Sequence, residues 1–364
     1  MAKILSAMSG GVDSSVATAV LLEQGHEVEG AYMKNWINEE NILGDCPWQQ
    51  DIEDARSVAE RLGIPFRVVN LMQDYRERVV RYLLEGYRSG VTPNPDVMCN
   101  REIKFGVFLD YAKSQGFASV ATGHYAQVRH ETSGRSRMFR GADANKDQTY
   151  FLALLRQDQL QHAEFPIGGM QKAEVRARAA ALGLSTAQKK DSQGICFIGN
   201  VRMSDFLRAF VPDEPGDIVG LDGRKLGRHA GVHLYTLGQR RGLGVASNAY
   251  REAYVVVEKR PSTRELVVAF DHPGTPRLYA SQCTVTSLSW LAPKPDFPAV
   301  MDVQPRYRCP GQPATVEEVG PDRVRIRFES PQRALAPGQI CAFYDGGELM
   351  GGGIFESVTP DITG

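Results

Sequence analysis

Two cysteines and one glycine–serine loop are the residues of this sequence best equipped for chemistry. The loop lies in ILSAMSGGVDSS, residues 4–15. Ser9, Ser14 and Ser15 supply hydroxyls, Gly10 to Ser15 supply backbone amides, and Asp13 is a carboxylate suited to Mg²⁺. That set suits a pyrophosphate, because amides at a helix N-terminus point outward and the helix dipole favours negative charge there. The stretch is neither a Walker loop, whose lysine it lacks, nor the G-x-G-x-x-G dinucleotide pattern. A plain tight turn at Gly10–Gly11 with Ser14 as a helix cap uses the same residues, and both readings stay open here. Cys99, in TPNPDVMCNREIKFG (92–106), follows two prolines and precedes a helix expected to begin near Arg101. Cys196, in KKDSQGICFIG (189–199), follows two lysines and a polar loop. Both settings predict partial exposure near a cation or helix N-terminus, which lowers a thiol pKa. Taken singly, each also fits an inert thiol.

A scaffold must hold these groups, and the hydrophobic pattern supplies one. Ile4, Leu5, Ala7 and Met8 read as a short buried strand, and Ser14 with Val16, Val20, Leu21 and Leu22 as an amphipathic helix. Further strands are expected at 27–33, 65–71 and 118–125, with helices at 50–63, 73–90 and 172–183. This βαβα rhythm predicts an α/β domain with a doubly wound parallel sheet over 1–200 and its ligand at the strand C-terminal ends. After residue 200 the texture changes to short strands punctuated by Pro and Gly, as in YVVVEK (254–259), ELVVAF (265–270), TVTSLSW (284–290) and RVRIRF (323–328). A small central β-containing module (201–272) and a C-terminal β-barrel (273–364) are the expected remainder, with YDGGE (344–348) as a hairpin turn.

The 364 residues carry 42 Lys+Arg against 43 Asp+Glu, a formal charge of −1. The chain is therefore no general polyanion binder, and any nucleic-acid contact must come from local basic surface in the middle of the chain. The six cysteines, at 46, 99, 196, 283, 309 and 341, form no C-x₂-C pair and no His cluster joins them, so neither a structural metal site nor a disulfide framework is expected. No apolar run reaches a membrane span and no cleavage pattern follows the N-terminus, so the expected location is cytoplasmic, without membrane contact.

A loop suited to a pyrophosphate and two candidate reactive cysteines together suit one difficult substitution, the replacement of a nucleobase carbonyl oxygen by sulfur. Transfer of AMP to that oxygen makes it a leaving group, a cysteine persulfide is a strong sulfur nucleophile, and a second cysteine can accept the inner sulfur as a disulfide. The loop resembles the SGGxDS PP-loop of ATP pyrophosphatases. Together with YMKNW (32–36), TPNPDVMCN (92–100), ATGHY (121–125), NKDQTYFL (145–152), KKDSQGICFIG (189–199), YTLGQRRGLG (235–244) and APGQICAFYDGGELMGGGI (336–354), it resembles the family of tRNA-specific 2-thiouridylases across nearly the whole chain.

The resemblance implies ATP-dependent 2-thiolation of the wobble uridine in tRNAs such as those for Lys, Glu and Gln. The persulfide sulfur would come from a cysteine desulfurase or a sulfur-relay protein, and Mg²⁺ would accompany ATP. It implies that Cys99 completes sulfur transfer and that Cys196 carries the persulfide, the two forming a transient disulfide. Ala7, Met8, Ser9, Gly10, Gly11, Val12, Asp13, Ser14, Met33 and Gly123 would line the ATP site. Asn94, Pro95 and Asp96 would meet the target base, Asp96 as general acid/base or merely as a helix cap. His124, Lys146, Asp147, Gln148, Arg306, Tyr307 and Gln339 would touch tRNA, although His124 also suits a turn and 306–308 a solvated strand edge. Cys46 inherits no role. A PP-loop synthetase acting on a small metabolite would need no redox cysteines, and a non-catalytic RNA binder would release no pyrophosphate.

Overall fold

The structure, a computed structural model, describes residues 1–36, 48–191, 202–246 and 252–361. In chain order the first seven strands are β1 (Lys3–Ala7), β2 (Glu27–Lys34), β3 (Phe66–Asn70), β4 (Ser119–Ala121), the hairpin pair β5 (Ala126–His130) and β6 (Ser136–Arg140), and β7 (Ala163–Glu164). Five of them form an all-parallel sheet ordered β3-β2-β1-β4-β7. The order reverses between β1 and β4, so the chain leaves these two strands in opposite directions and opens a crevice at their carboxyl ends. Ile4 and Leu5 of β1 are completely enclosed, as expected of a strand covered on both faces.

Helix α1 (Val12–Glu23) corrects one expectation. It is not amphipathic: every residue from Val12 to Leu21 except Asp13 is buried. It packs into an apolar cluster with Val58, Ala59, Tyr125, Val175 and Ala179. Its buried hydroxyls are accommodated locally, Thr18 Oγ1 donating to the Ser14 carbonyl (2.8 Å) and Ser15 Oγ to that of Gly11 (2.8 Å). The helix over Trp48–Leu62 stops at Gly63, whose φ of +70° suits the left-handed stop that glycine favours.

The central module is a four-stranded sheet of β8 (Gly216–Gly220), β9 (Lys225–His229), β10 (Tyr254–Arg260) and β11 (Glu265–Phe270), ordered β10-β11-β8-β9. Strands β12 (Tyr279–Trp290), β13 (Ala299–Gln304), β14 (Gln312–Gly320), β15 (Arg323–Arg333), β16 (Ile340–Asp345) and β17 (Glu348–Thr359) close into an antiparallel barrel, the ring completed by β12 against β17. In β15, Val324, Ile326 and Phe328 point inward, as the alternating sequence predicts. Two features lay beyond the sequence pattern. The β5–β6 hairpin of the first domain pairs with β17 at Glu348↔Phe139 and Leu349↔Met138. One apolar cluster also runs from Val97, Met98 and Phe105 through Tyr150 to Ile340, Ala342, Tyr344 and Leu349. Among the described residues no helix is long and apolar enough to cross a membrane.

Candidate active site

The glycine–serine loop sits at the β1 carboxyl end and runs straight into α1. Gly10 has a φ of +73°, and a Cβ there would lie 2.4 Å from the Asp51 carbonyl oxygen. Only glycine meets both demands. Gly11 stands at the helix N-cap with extended backbone, and the first bond it accepts is from Ser15 N at 3.2 Å. The amides ahead of Ser15 have no helical carbonyl to meet, as at any helix N-terminus. Ser14 Oγ donates to the Gly11 carbonyl (3.1 Å), accepts from Ser9 N (3.1 Å) and lies 3.2 Å from Ser9 Oγ, which fixes the loop as a shallow cup. Gly123, beyond β4, closes the other side; a Cβ there would come within 2.7 Å of Ser14 N. The two ends of the crevice are thus held in backbone contact, and the cup fits an anionic phosphate chain.

Asp13 accepts both oxygens' worth of bonds from Lys172 Nζ (2.8 Å each) and another from Tyr125 Oη (2.8 Å). Lys172 also reaches Asp191 (2.8 Å), which in turn holds Lys146 (2.7 Å) and Arg176 (2.8 Å). Burial alone would raise the Asp191 pKa, but the bonds from Lys146 and Lys172 outweigh it and hold the carboxyl at about 2. Burial lifts the Tyr125 phenol above its ordinary range, and Asp13 adds to the effect. Lys189, two residues before Asp191, bonds Asp51 (2.7 Å) and Asp54 (2.5 Å). The cup is therefore tied by ion pairs to the described chain just before the segment that carries Cys196.

Cys99 corrects a second expectation. It is not partly exposed but wholly buried, at 0%. The helix begins earlier than expected: Asn94 Oδ1 caps it by accepting from Val97 N (3.3 Å), and Pro95 takes the first turn, where its missing N–H costs nothing. Cys99 consequently follows the first turn and faces inward, among Tyr75, Val79 and Ile103. Helical hydrogen bonding widens to the π pattern over Cys99–Val107, with a break at Gly106 (φ −104°, ψ −105°). Ala7, Met33 and Cys99 belong to the same apolar cluster, so the ends of β1 and β2 and this thiol share one core. Met8 and Val12 are buried on the opposite face of the sheet. Asn94 and Asp96 are half-buried and Pro95 is buried. Cys46 and Cys196 lie outside the described residues. Cys283 and Cys341 are buried barrel thiols, the first pushed up to about 12 by burial.

The residues expected to touch RNA have mixed placements. His124 is 8% exposed, with Nδ1 2.7 Å from Thr122 Oγ1 and its ring against Phe105 and Phe165. Burial, then the Lys104 charge, holds it well below the ordinary histidine range, hence neutral. Asp147 accepts from Gly141 N (3.0 Å), Thr149 Oγ1 (2.9 Å) and Arg140 Nη1 (2.8 Å), while Gln148 Oε1 accepts from Tyr125 N (3.0 Å). With Lys146 on Asp191, all three side chains of that turn are engaged within the protein. Arg306 donates to the Ala334 carbonyl (3.3 Å), and Tyr307 packs against Phe151 with ring centroids 4.4 Å apart and planes tilted by 51°. A cleft of about 430 Å³ opens beside them, lined by Arg140, Asn145, Asp147, Tyr307, Arg308 and Cys309. Gln339 donates to the Thr92 carbonyl (2.6 Å).

Sequence reasoning missed Lys172, Tyr125, Arg176 and Asp191. One signal was available: Lys172 opens the helix Lys172–Ala181, where a cation opposes the dipole and calls for a carboxylate partner.

A parallel sheet of this order with a Gly/Ser cup at its switch point defines an α/β nucleotide-binding protein of the PP-loop kind. Family models match in three consecutive stretches: a tRNA methyl transferase HUP domain over 2–200, a tRNA methyl transferase PRC-barrel domain over 204–270 and an aminomethyltransferase beta-barrel domain over 280–355. The tRNA-specific 2-thiouridylase MnmA of Akkermansia muciniphila is 58% identical over 99% of this chain and 100% of its own length. That of Shouchella clausii is 46% identical over 98% and 97%. The chain belongs to the tRNA-specific 2-thiouridylase family. A solved complex of a 4-thiouridine synthetase with RNA and bound ATP is similar over 55% of this chain and 46% of that one, at 19% identity and a TM-score of 0.38.

Proposed function

We propose that this protein is an ATP-dependent tRNA-uridine 2-sulfurtransferase, with residues 1–200 as the catalytic unit, 201–272 as a linking module and 273–364 as the barrel. The supporting observation is the shared core: the strand ends that carry the phosphate cup pack in one cluster with Cys99. ATP activates the C2 oxygen of the wobble uridine as its adenylate and pyrophosphate departs. The cup amides and Ser9 and Ser14 hydroxyls would hold the phosphates, with Met33 against the adenine. Asp13 accepts from Lys172 on both oxygens, so Mg²⁺ would ride on the phosphates rather than on this carboxylate.

Sulfur transfer then balances as follows. The terminal sulfur of a Cys196 persulfide attacks C2, and AMP leaves with the oxygen. The Cys99 thiolate attacks Cys196 Sγ, the inner S–S bond breaks, and its electron pair stays on the sulfur now bound to C2. The Cys99–Cys196 disulfide is reset by two cellular thiols, which leave joined as a disulfide of their own. Asp191 and Arg202 flank the Cys196 segment. Asp191 is tied to the cup through Lys172, and the helix after Arg202 places Phe206 and Leu207 in the Cys99 cluster. Asn94, Pro95 and Asp96 would meet the uracil, Asp96 serving as proton carrier. Methyl transfer, which the family-model descriptions name, would need neither a pyrophosphate cup nor a pair of thiols.

Cys99→Ser and Cys196→Ser should each abolish 2-thiouridine in unmodified tRNA incubated with ATP, Mg²⁺ and a persulfide source, read by nucleoside mass spectrometry. Both should keep tRNA-dependent pyrophosphate release. Full thiolation by either serine variant overturns the scheme.

A further inference from the structure

The segment that leads into the Asn94–Cys99 turn is gripped from outside its own domain. Thr92 is 7% exposed; its N–H donates to the Pro337 carbonyl (3.0 Å) and its carbonyl accepts from Gln339 Nε2 (2.6 Å). Gly338 stands between these bonds with φ +87°, and a Cβ there would lie 3.0 Å from Val91 Cγ2 and 3.1 Å from the Thr92 backbone. The barrel side of the grip is anchored: Gly338 N donates to the Phe355 carbonyl (2.8 Å) and Phe355 N to that of Gln339 (2.9 Å). On the other flank a Cβ on Gly90 would come within 2.9 Å of Pro261 in the central module.

We propose that the barrel loop 336–339 sets the position of the Asn94–Cys99 turn, with Gln339 as a positioning residue acting through the Thr92 carbonyl. The linkage is stiff because Pro93 and Pro95 fix their own φ and restrict the residues before them. A displacement at Thr92 therefore passes to the Asn94 cap and the helix carrying Cys99 instead of dissipating in the loop. Cys99 must leave full burial to react, and this hinge is where such a movement starts. An RNA oxygen can take over the Gln339 amide, which would make RNA arrival on the barrel and release of the turn one event. That last consequence rests on the tRNA reading above; the grip itself does not.

The test uses the full chain without RNA. In Gln339→Met, which keeps length but loses the donor, hydrogen exchange of the peptide 91–94 should rise about tenfold, the scale of one net hydrogen bond. Pro93 has no amide, so the segment carries the Val91, Thr92 and Asn94 amides, and the exchange that counts is that of Thr92, which bonds the barrel loop. Exchange is read as a ratio to the β14 amides, so any general loss of stability cancels. Alkylation of Cys99 by iodoacetamide should quicken by a similar factor, and Gln339→Glu, which also lacks the donor, should match the methionine variant. Unchanged exchange and alkylation in both variants would reduce Gln339 to an RNA contact and overturn the proposal. In thiolation assays kcat should not fall, because the variant starts with the turn already released; a kcat lowered about tenfold would show that the grip is needed in the reacting state and overturns the proposal. The two RNA-free readouts hold whether or not the sulfur-transfer scheme does.

Discussion

The loop at 9–14 and the turn at 145–148 are alike in sequence, short, polar and close to a strand end, yet the structure uses them in opposite ways. The first leaves the amides at the start of α1 without helical carbonyls, its Ser9 and Ser14 hydroxyls bonding within the loop, and its glycines allow the backbone of neighbouring elements to close in. The second directs Lys146, Asp147 and Gln148 into the protein, joining Asp191, the β6 end and the strand after Gly123. Polarity alone does not mark a ligand site. A loop whose backbone amides open onto a crevice at a helix start is poised for an anion, and one whose side chains are all spent on neighbouring elements is a bracket.

The sharpest way to break this contrast is Gly10→Ala. A methyl group 2.4 Å from the Asp51 carbonyl, on a φ of +73°, must push the helix 48–62 away from the cup. Pyrophosphate release should fall about a hundredfold, as expected when reacting groups are misplaced by an ångström. A variant with ordinary release would show the cup is not the phosphate site. Lys172→Met comes next, because it leaves Asp13 and Asp191 facing one another without their shared cation. Both carboxylates are about a third exposed, so the cost is discounted to on the order of 2 kcal/mol, measurable by urea unfolding together with weaker ATP binding.

Asp147→Ala should destabilise by about 1 kcal/mol through the loss of paired backbone and hydroxyl donors, with ATP binding unchanged. If stability holds and only tRNA affinity drops, the turn is a contact surface and not a bracket. The smallest effect is a pH dependence. Asp191 has a folded-state pKa of about 2, below its ordinary value of 3.8, so it contributes stability above the ordinary value and loses it as pH falls toward 2. Unfolding midpoints should decline across that window, and Asp191→Asn should flatten the part of the decline it causes.

Much of the fold was legible because the sequence patterns are local. The buried run of β1, the glycine stop at Gly63 and the alternation in β15 each follow from neighbouring residues alone. Cys99 was misjudged because Arg101 was read as the helix start, when the Asn94–Pro95 pair already carried the capping signal. The amphipathic reading of α1 failed because Ser14, Ser15 and Thr18 look solvent-facing until their hydroxyls are seen bonded to Ser6, to Ser9 or to carbonyls of the preceding turn. The Lys172–Asp13–Asp191 cluster joins residues far apart in the chain, and no periodicity encodes such a meeting.

The pairing of β6 with β17 carries a practical corollary for anyone dissecting the protein. A fragment ending near residue 200 would strip the hairpin of its neighbour and bare the apolar surface that Tyr150 and Met138 share with Ile340 and Leu349. Such a naked margin invites self-association, so residues 1–200 are best handled with the barrel attached.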